Sequence, residues 1–316
     1  MQSYRDFWNE KAGSMQSAIA AVDGSPSEEI ARLTGTWSAD QVHAALDIQA
    51  SDHVLELGCG VGRIGRELAP RCHEWTGVDI SQSMLDAAAQ RLAGLPNVVF
   101  RPLQRTSLDM FTDNSFDKAY TVAVLCHMDK EDVYLYIREL CRVLRPGGVA
   151  YIETWNMADP VGWKRWSFEM EAWARADQSQ RKDVARNQFS VPEEVELFTR
   201  HAGFEIAACY GDSAWVQMVA VKPGVDGRLA ATQGRLETAT VANTPQWNAL
   251  FSLMLDVIYG LCTPAQGMQR LAEMESTENV ALYRRYLLSL WQQNTQSWGP
   301  TPEAGETTHD RTQNTC

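Results

Sequence analysis

The stretch LELGCGVGRIG, residues 55–65, contains two overlapping glycine patterns. Gly58, Gly60 and Gly62 form G-x-G-x-G, whereas Gly60, Gly62 and Gly65 form G-x-G-x-x-G, the dinucleotide fingerprint. Both patterns follow a predicted strand and open a predicted helix, so both place a nucleotide at the carboxyl edge of a sheet. The two patterns imply different cofactors, and the residues around the loop have to distinguish them.

The rest of the chain alternates between apolar runs and helical patterns. The predicted strands cover residues 53–58, 74–80, 97–103, 116–124, 149–155, 204–210 and 214–223, and the predicted helices cover residues 63–71, 81–94, 131–144 and 191–203. Alternation of this kind indicates an α/β fold with a doubly wound, mostly parallel sheet. Only three residues separate the last two strands, so this pair is predicted to form an antiparallel hairpin.

Further regions surround this core, which covers residues 41–222. We predict a helical N-terminal cap over residues 1–40 and a tryptophan-rich, lid-like insert over residues 156–190. Residues 223–298 are predicted to form a helical C-terminal extension, with two clear helical patterns. The polar residues 299–316 are predicted to be a disordered tail.

Composition narrows the class of protein. The chain has 316 residues, of which 45% are hydrophobic, and its net charge is −12, so a nucleic-acid partner is not expected. The N-terminal sequence has no apolar signal region and no apolar run is long enough to span a membrane, which predicts a cytoplasmic protein with no membrane partner. The seven cysteines are scattered without a C-x-x-C pair, so neither a metal site nor a disulfide framework is expected.

Two acids near the glycine loop bear on the choice of cofactor. Asp79 ends the second strand and is suited to accept hydrogen bonds from ribose hydroxyls of either cofactor. Glu56 lies two residues before Gly58, where its carboxylate would repel the pyrophosphate of a dinucleotide but attract the ammonium and sulfonium groups of S-adenosylmethionine. Glu56 is alternatively a structural acid bonded to loop amides, and the two roles are compatible. The charge argument favours S-adenosylmethionine over NAD.

Several motifs occur together in a fixed order. ELGCGVG, GVDIS, DNSFDKAY, LRPGG and the terminal hairpin follow the order and spacing of the class I S-adenosylmethionine-dependent methyltransferases, which the chain resembles over roughly residues 41–222. The resemblance is to the small-molecule type of this family. It implies a Rossmann-like, doubly wound seven-stranded sheet with an antiparallel last strand, and S-adenosyl-L-methionine as the cofactor.

The resemblance also implies a set of cofactor-binding residues. Gly58, Gly60 and Gly62 would let the backbone approach the methionine moiety, and Val122 and Ala123, at the end of the fourth strand, would line the methionine end. The predicted cofactor-binding residues are Trp8, Glu56, Gly58, Cys59, Gly60, Gly62, Asp79, Ile80, Met84, Gln104, Arg105, Val122 and Ala123.

The adenine end of the cofactor involves four of these residues. The resemblance places Ile80 and Met84 against the adenine ring, with Gln104 and Arg105 at its edge. The family usually has an acidic residue where Gln104 stands. Gln104 keeps an amide oxygen as an acceptor for the adenine amino group but lacks the charge. Cys59 is interpreted as a small structural filler of the loop rather than a nucleophile.

Methyl transfer is an in-line displacement at an activated sulfonium, and it needs a base only if the acceptor atom must lose a proton. His127 lies just beyond the fourth strand, at the edge where the methyl group should point, and is our candidate catalytic residue. The alternative is that His127 is a loop residue bonded to backbone. The acceptor atom, whether oxygen, nitrogen or sulfur, is not specified by these residues.

Aromatic residues flank the predicted acceptor site. Four side chains after the fifth strand recur at helical spacing: Trp163, Trp166, Met170 and Trp173. Such a stripe is more often core packing, but its position over the cleft favours a lid. The family resemblance also implies an N-terminal helix folded across the cofactor. The predicted substrate-binding residues are Tyr4, Trp155, Trp163 and Trp166.

The sequence therefore predicts a cytoplasmic S-adenosylmethionine-dependent methyltransferase that acts on a small-molecule acceptor. Two alternatives stay open: a methyltransferase with a protein acceptor, and a non-catalytic module that only binds S-adenosylmethionine. The apolar helical patterns near the C-terminus are also compatible with a homodimer.

Overall fold

The computed structural model describes residues 3–177 and 187–302. The chain divides into two compact units, Met1–Ser252 and Leu253–Cys316. The first unit therefore continues beyond the core boundary that the sequence predicts at residue 222, and the predicted division into cap, core and extension stays a prediction. Most of the predicted disordered tail, residues 303–316, lies outside the described residues.

The first unit is built on a seven-stranded sheet. Its strands are β1 His53–Leu57, β2 Glu74–Asp79, β3 Val98–Pro102, β4 Phe116–Val122, β5 Leu144–Trp155, β6 Glu205–Tyr210 and β7 Trp215–Val221. The strand order is β3-β2-β1-β4-β5-β7-β6, and the neighbouring pairs from β3 to β5 are parallel. β7 is antiparallel to both β5 and β6. The predicted doubly wound sheet and its antiparallel last strand are confirmed.

Both faces of the sheet are covered, because successive residues of a strand point to opposite faces. Val54 and Tyr151 contribute to one buried cluster, together with Trp75 of β2. Their chain neighbours, Leu55 and Ile152, contribute to a second cluster on the other face. Strands buried on both faces explain the nearly continuous apolar runs of β1 and β5 in the sequence.

The helices of the first unit surround this sheet. They are α1 Tyr4–Lys11, α2 Met15–Asp23, α3 Glu28–Leu46, α4 Gly65–Leu68, α5 Gln82–Arg91, α6 Lys130–Val143, α7 Pro160–Trp173, α8 Pro192–His201 and α9 Arg228–Leu236, and α10 Pro245–Ile258 contains the boundary between the units. Serine side chains begin α1, α2, α3 and α5 by accepting a hydrogen bond from the backbone N–H of the third helical residue. The helical cap predicted over residues 1–40 is thus three separate helices, the last of which extends to Leu46.

Three element boundaries differ from the prediction. β5 begins at Leu144, so it includes the Arg-Pro-Gly-Gly segment, residues 145–148, that separates the predicted helix 131–144 from the predicted strand 149–155. β4 ends at Val122, and a single 3₁₀ turn, Leu125–His127, follows it. The helix predicted over residues 63–71 is a short α-helix followed by a 3₁₀ turn.

The second unit contains α11 Pro264–Glu273, α12 Glu278–Gln293 and α13 Thr295–Trp298. Gly267 of α11 allows a close approach, because a Cβ atom there would lie 2.7 Å from Val257 and 3.1 Å from Leu287. The sequence analysis identified no separate pattern for α11, which has fewer apolar residues than the helices on either side of it. A homodimer through these helices stays a prediction. In the described residues, every helix is too short or too polar to cross a bilayer.

Candidate cofactor and acceptor site

The glycine loop connects β1 to α4 in a conformation that side chains rarely adopt. Gly58, Gly60 and Gly62 have φ angles of +73°, +51° and +71°. A Cβ atom on Gly58 would lie 2.5 Å from both Cγ atoms of Val124, so a side chain there would displace the segment after β4. Gly65 is different, because it is needed for packing: its Cβ would lie 2.2 Å from the Trp75 ring. Both glycine patterns therefore have a structural reason, and the glycines alone do not identify the cofactor.

Asp79, at the carboxyl end of β2, stabilises this loop through hydrogen bonds. Its Oδ2 accepts a hydrogen bond from the Gly60 backbone N–H at 2.9 Å, and its Oδ1 accepts one from the Ser81 N–H at 2.9 Å. Burial raises the pKa of Asp79 to about 6, although these N–H groups act to lower it. Asp79 thus lies at the last position of β2, and its role in ribose binding stays a prediction.

Glu56 lies buried beneath the loop. Its Oε2 accepts a hydrogen bond from the Tyr120 hydroxyl at 2.5 Å, and that hydroxyl accepts one from the Trp75 indole N–H at 2.9 Å. Burial raises the pKa of Glu56 to about 8, and the charge of Asp79 adds to this rise, while Tyr120 and nearby Arg63 act to lower the pKa. Glu56 is thus held mainly by a side chain of β4.

The charges around the loop fit S-adenosylmethionine. Two buried carboxyl groups, Glu56 and Asp79, are close enough for the charge of one to raise the pKa of the other. Asp79, with a pKa of about 6, is ionised at pH 7, and a cation bound beside Glu56 would favour the ionised form of that group as well, so the site disfavours a pyrophosphate and favours a cation. The ammonium and sulfonium groups of S-adenosylmethionine are cationic, so this residue set suits that cofactor better than a dinucleotide. Cys59 is buried in the loop, and burial raises the pKa of its thiol well above the ordinary value, as expected of a structural filler.

The predicted adenine residues are divided between buried and exposed positions. Met84 is buried in a cluster that contains Ile19 of α2 and Val61 of the loop, and Ile80 packs on the core of the sheet. Gln104 is exposed, and its Oε1 accepts a hydrogen bond from the Arg5 guanidinium at 3.2 Å. The amide oxygen proposed for the adenine amino group is therefore engaged by α1. Arg105 is exposed and forms an ion pair with Asp109.

Helix α1 contacts the segments that follow β2 and β3 and the start of α6. Arg5 donates to the Leu103 carbonyl oxygen, after β3, at 2.9 Å, and Asn9 accepts a hydrogen bond from the Ser81 hydroxyl, after β2, at 2.8 Å. Tyr4 donates to Asp132 of α6 at 3.1 Å. These contacts agree with the expected N-terminal helix. The roles of Arg5 and Asn9 were missed, since nothing in the sequence around them indicates contacts so distant in the chain.

The segment after β4 has an unusual backbone. Val122 ends the strand, and Ala123 has a φ of +57°, in the left-handed region that favours glycine. A non-glycine residue in this conformation persists only where its surroundings hold it, and such residues are frequent at functional sites. The bend turns the chain so that Val124 packs on Gly58 and Leu125–His127 forms the 3₁₀ turn.

His127 lies in this turn, under α1. The ring of Trp8 contacts it edge-on, with the ring centroids 5.0 Å apart. Its Nδ1 is buried and has no hydrogen-bond partner in the described part of the chain. Burial lowers the pKa of His127 to about 4, and the charge of Arg165 contributes to this shift. The imidazole is therefore neutral at pH 7 but a weak base.

The predicted substrate tryptophans have contrasting environments. Trp155, at the end of β5, is only 4% exposed and stacks on Trp215 with the ring centroids 3.6 Å apart. The Arg165 guanidinium lies 4.1 Å from the centroid of the Trp155 ring. Trp163 is 51% exposed and packs against Trp166 at 4.8 Å, so this helical face is not core. Sequence reasoning missed Arg165, although its i,i+4 spacing to an acid was a usable signal.

Within residues 3–177 and 187–302, the His, Cys, Asp and Glu side chains form no cluster suited to a metal ion. The site consists instead of a glycine loop, two buried acids and a covering helix at the carboxyl edge of the sheet. A seven-stranded sheet with this strand order, carrying these features, defines the class I methyltransferase fold.

Comparison with known proteins agrees with that class. Residues 54–148 match the family model described as a methyltransferase domain. The chain therefore carries a class I S-adenosylmethionine-dependent methyltransferase domain, and the predicted recognition and cofactor are confirmed.

Individual relatives are similar over part of their length. The methyltransferase GfsG of Streptomyces halstedii is 33% identical over 117 residues, which are 36% of this chain and 41% of GfsG. A demethylmenaquinone methyltransferase of Tropheryma whipplei (strain Twist) is 34% identical over 104 residues, 33% of this chain and 41% of the relative. The chain thus spans less than half the length of these curated relatives.

Among solved structures, magnesium protoporphyrin IX methyltransferase (ChlM) from Synechocystis PCC 6803, with bound SAH, superposes with a TM-score of 0.52 at 18% identity. The superposition covers 69% of this chain and 97% of that protein. At this identity the likeness concerns the fold.

Proposed function

We propose that this protein transfers the methyl group of S-adenosylmethionine to a small-molecule acceptor. The observation that carries the proposal is the position of α1, which contacts the residues that follow β2 and β3 and reaches His127, in the turn after β4, through Trp8. A helix in this position encloses the edge of the sheet where the cofactor belongs. An enclosed site suits a small acceptor better than a segment of a folded protein. The demethylmenaquinone named for one relative is also a small molecule.

When bound, S-adenosylmethionine supplies a methyl group on a positively charged sulfur. The protein's part is to align the acceptor and to exclude water. Asp79 and the glycine loop would fix the cofactor, and its ammonium group would favour the ionised form of Glu56 by binding beside it. His127 is neutral at pH 7 and is suited to hydrogen-bond an acceptor. The acceptor oxygen, nitrogen or sulfur would form a bond to the methyl carbon while the carbon–sulfur bond breaks and its electron pair stays on sulfur.

A transfer experiment tests this function directly. Protein is incubated with S-adenosylmethionine that carries a tritiated methyl group, together with a cell extract separated by filtration into small-molecule and protein fractions. We expect tritium in the small-molecule fraction and equimolar S-adenosylhomocysteine. The Asp79→Ala variant should lose most of this transfer, whereas Asp86→Ala, an exposed change on α5, should match the wild type.

Other outcomes contradict the proposal in distinct ways. Tritium confined to the protein fraction would indicate a protein acceptor. Binding of S-adenosylhomocysteine without transfer to either fraction would favour the non-catalytic binding module. Calorimetry with S-adenosylmethionine, S-adenosylhomocysteine and NAD separately tests the cofactor, and tight binding of NAD alone would overturn it.

A further inference from the structure

Arg165 of α7 is held in place by two contacts. Its guanidinium lies over the Trp155 ring, 4.1 Å from the centroid, and its Nε donates to Glu169 Oε1 at 2.9 Å. The same Glu169 oxygen accepts a hydrogen bond from the Asn187 amide at 2.8 Å. The side chain is 26% exposed, so it is positioned on a largely buried surface rather than free in solvent.

The contact with Glu169 uses only one edge of the guanidinium. The two Nη atoms of Arg165 have no hydrogen-bond partner among residues 3–177 and 187–302. An ordinary i,i+4 helical pair accounts for Nε and leaves the second edge available to a ligand or to water. Paired N–H donors at a guanidinium edge match the two oxygens of a carboxylate.

The free edge of Arg165 belongs to the region of the predicted acceptor site. Asn187, which shares Glu169 with Arg165, is followed by Gln188, whose backbone N–H donates to the Cys126 carbonyl oxygen at 2.5 Å, beside His127 in the turn after β4. The charge of Arg165 accordingly lowers the pKa values of both Cys126 and His127. His127 also has a buried Nδ1 atom with no partner in the part of the chain that the structure describes. Buried polar atoms without a partner are rare, and each one needs an explanation. A ligand group that receives hydrogen bonds from both residues provides one.

The surrounding charges limit what that group is. The charges of Glu153 and Glu169 raise the pKa of Cys126, so both acids act on the same region. A dianionic phosphate would be strongly repelled by them, whereas a carboxylate brings only one negative charge to the second edge of Arg165, whose Nε pairs with Glu169. The walls are aromatic, with Trp8 against His127 and Trp155 under Arg165. The site therefore suits an apolar molecule that carries one carboxylate.

We infer that Arg165 and His127 bind the carboxylate of the acceptor, and that the acceptor is a monocarboxylic acid with an apolar body. The inference rests on the proposed function, because it names the substrate class of the same site. Arg165 is the residue that selects an acceptor with a negative charge. Glu169 and Trp155 hold the Arg165 side chain in its orientation.

Matched acids and amides test the inference whichever monocarboxylic acid the natural acceptor is. The probes are benzoate and benzamide, 2-naphthoate and 2-naphthamide, and octanoate and octanamide, each titrated calorimetrically into protein saturated with S-adenosylhomocysteine. In the wild type, at least one acid should bind about tenfold or more tightly than its amide, as a charge-assisted hydrogen bond predicts. Arg165→Gln should abolish this preference, and Arg165→Lys should retain part of it.

The control variant is Arg200→Gln, since Arg200 forms an equivalent i,i+4 pair with Glu196 on α8. It should keep the wild-type preference, and all variants should bind S-adenosylhomocysteine normally. Equal binding of every acid and its amide, or no binding by any acid, would overturn the inference, as would a preference that persists in Arg165→Gln. Failure of the wild type to bind S-adenosylhomocysteine would instead contradict the proposed function, and the inference with it.

Discussion

The backbone N–H of Gly60 donates a hydrogen bond to Asp79 Oδ2 at 2.9 Å, across 19 residues of the chain. The second oxygen of the same carboxylate accepts from the Ser81 N–H, at the start of α5. Asp79 therefore fixes the glycine loop and the next helix with one side chain. This arrangement links the conformation of the loop to the acid that we expect to bind the ribose.

Asp79→Ala should weaken S-adenosylhomocysteine binding while the protein stays folded. Loss of charge-assisted hydrogen bonds to ribose should cost roughly 1.5–3 kcal/mol, or about one to two decades of affinity. The measurement is calorimetric titration, with circular dichroism to confirm folding. Asp86→Ala is the matched control on the exposed side of α5. Unchanged affinity in a folded Asp79→Ala protein would show that another residue holds the ribose.

Glu56 should make stability depend on pH. Burial raises its pKa from the ordinary 4.5 to about 8, so between these values the folded protein keeps a proton that the unfolded chain has released. Its contribution to stability is complete below pH 4.5 and is lost as the pH rises through about 8. Relative to Glu56→Gln, which cannot ionise, the wild type should lose up to about 1.4 kcal/mol per pH unit in this window.

Urea unfolding of the wild type and of Glu56→Gln from pH 4.5 to 8.5 measures this difference in the pH dependence of stability. The control is Glu171→Gln, an exposed position on α7, whose stability should stay parallel to that of the wild type. If the wild type and Glu56→Gln remain parallel across the whole range, Glu56 is ionised in the folded protein at neutral pH.

Much of the fold follows from local sequence signals. The strand-to-glycine transition at residues 53–62 and the three-residue link before β7 are local, and the structure has both. The start of β5 is different. Arg-Pro-Gly-Gly is typical of a turn, but the Gly147 N–H donates to the Lys222 carbonyl oxygen at 2.8 Å and the Lys222 N–H donates to Gly148 at 2.9 Å. Pairing with a strand so distant in the chain extends β5, and no local pattern contains that information.

Some features of the candidate site could likewise be predicted from the sequence, whereas others depend on contacts between distant parts of the chain. The positions of Gly58, Gly60 and Asp79 could be predicted because they follow a strand at fixed spacing. The hydrogen bond from Arg5 to Gln104 joins residues 99 positions apart, and it depends on how α1 packs on the finished sheet. The buried environment of His127 has the same origin, since Trp8 covers it. This burial lowers the pKa of His127 to about 4, which the residues around it in the sequence do not indicate.

His127→Gln should mainly raise the Michaelis constant for the acceptor. With a pKa of about 4 the imidazole is too weak a base for efficient proton removal at pH 7, but its neutral ring can still form a hydrogen bond. We expect turnover within about tenfold of the wild type and little change in cofactor affinity. Steady-state kinetics with the labelled acceptor from the transfer experiment measure both parameters.

The exposed His201→Gln change, at the end of α8, is the control and should leave both parameters unchanged. A fall in turnover of about 10²–10⁴-fold in His127→Gln, with an unchanged Michaelis constant, would instead identify His127 as a general base. If neither parameter moves, the unpaired Nδ1 has no role in acceptor binding.

Two tryptophans of the tryptophan-rich region should contribute very differently to stability. Trp155 is buried between Trp215 and the Arg165 guanidinium, so Trp155→Ala removes a stacked ring and leaves a cavity, which should cost roughly 3–5 kcal/mol. Trp163 is 51% exposed, and Trp163→Ala should change the free energy of unfolding by about 0.5 kcal/mol or less. If this exposed face is instead part of a lid, Trp163→Ala should weaken acceptor binding without that loss of stability. Urea unfolding and acceptor titration of both variants separate the two effects. A Trp163→Ala protein that loses several kcal/mol would show that the outer face of α7 is packed as core in solution.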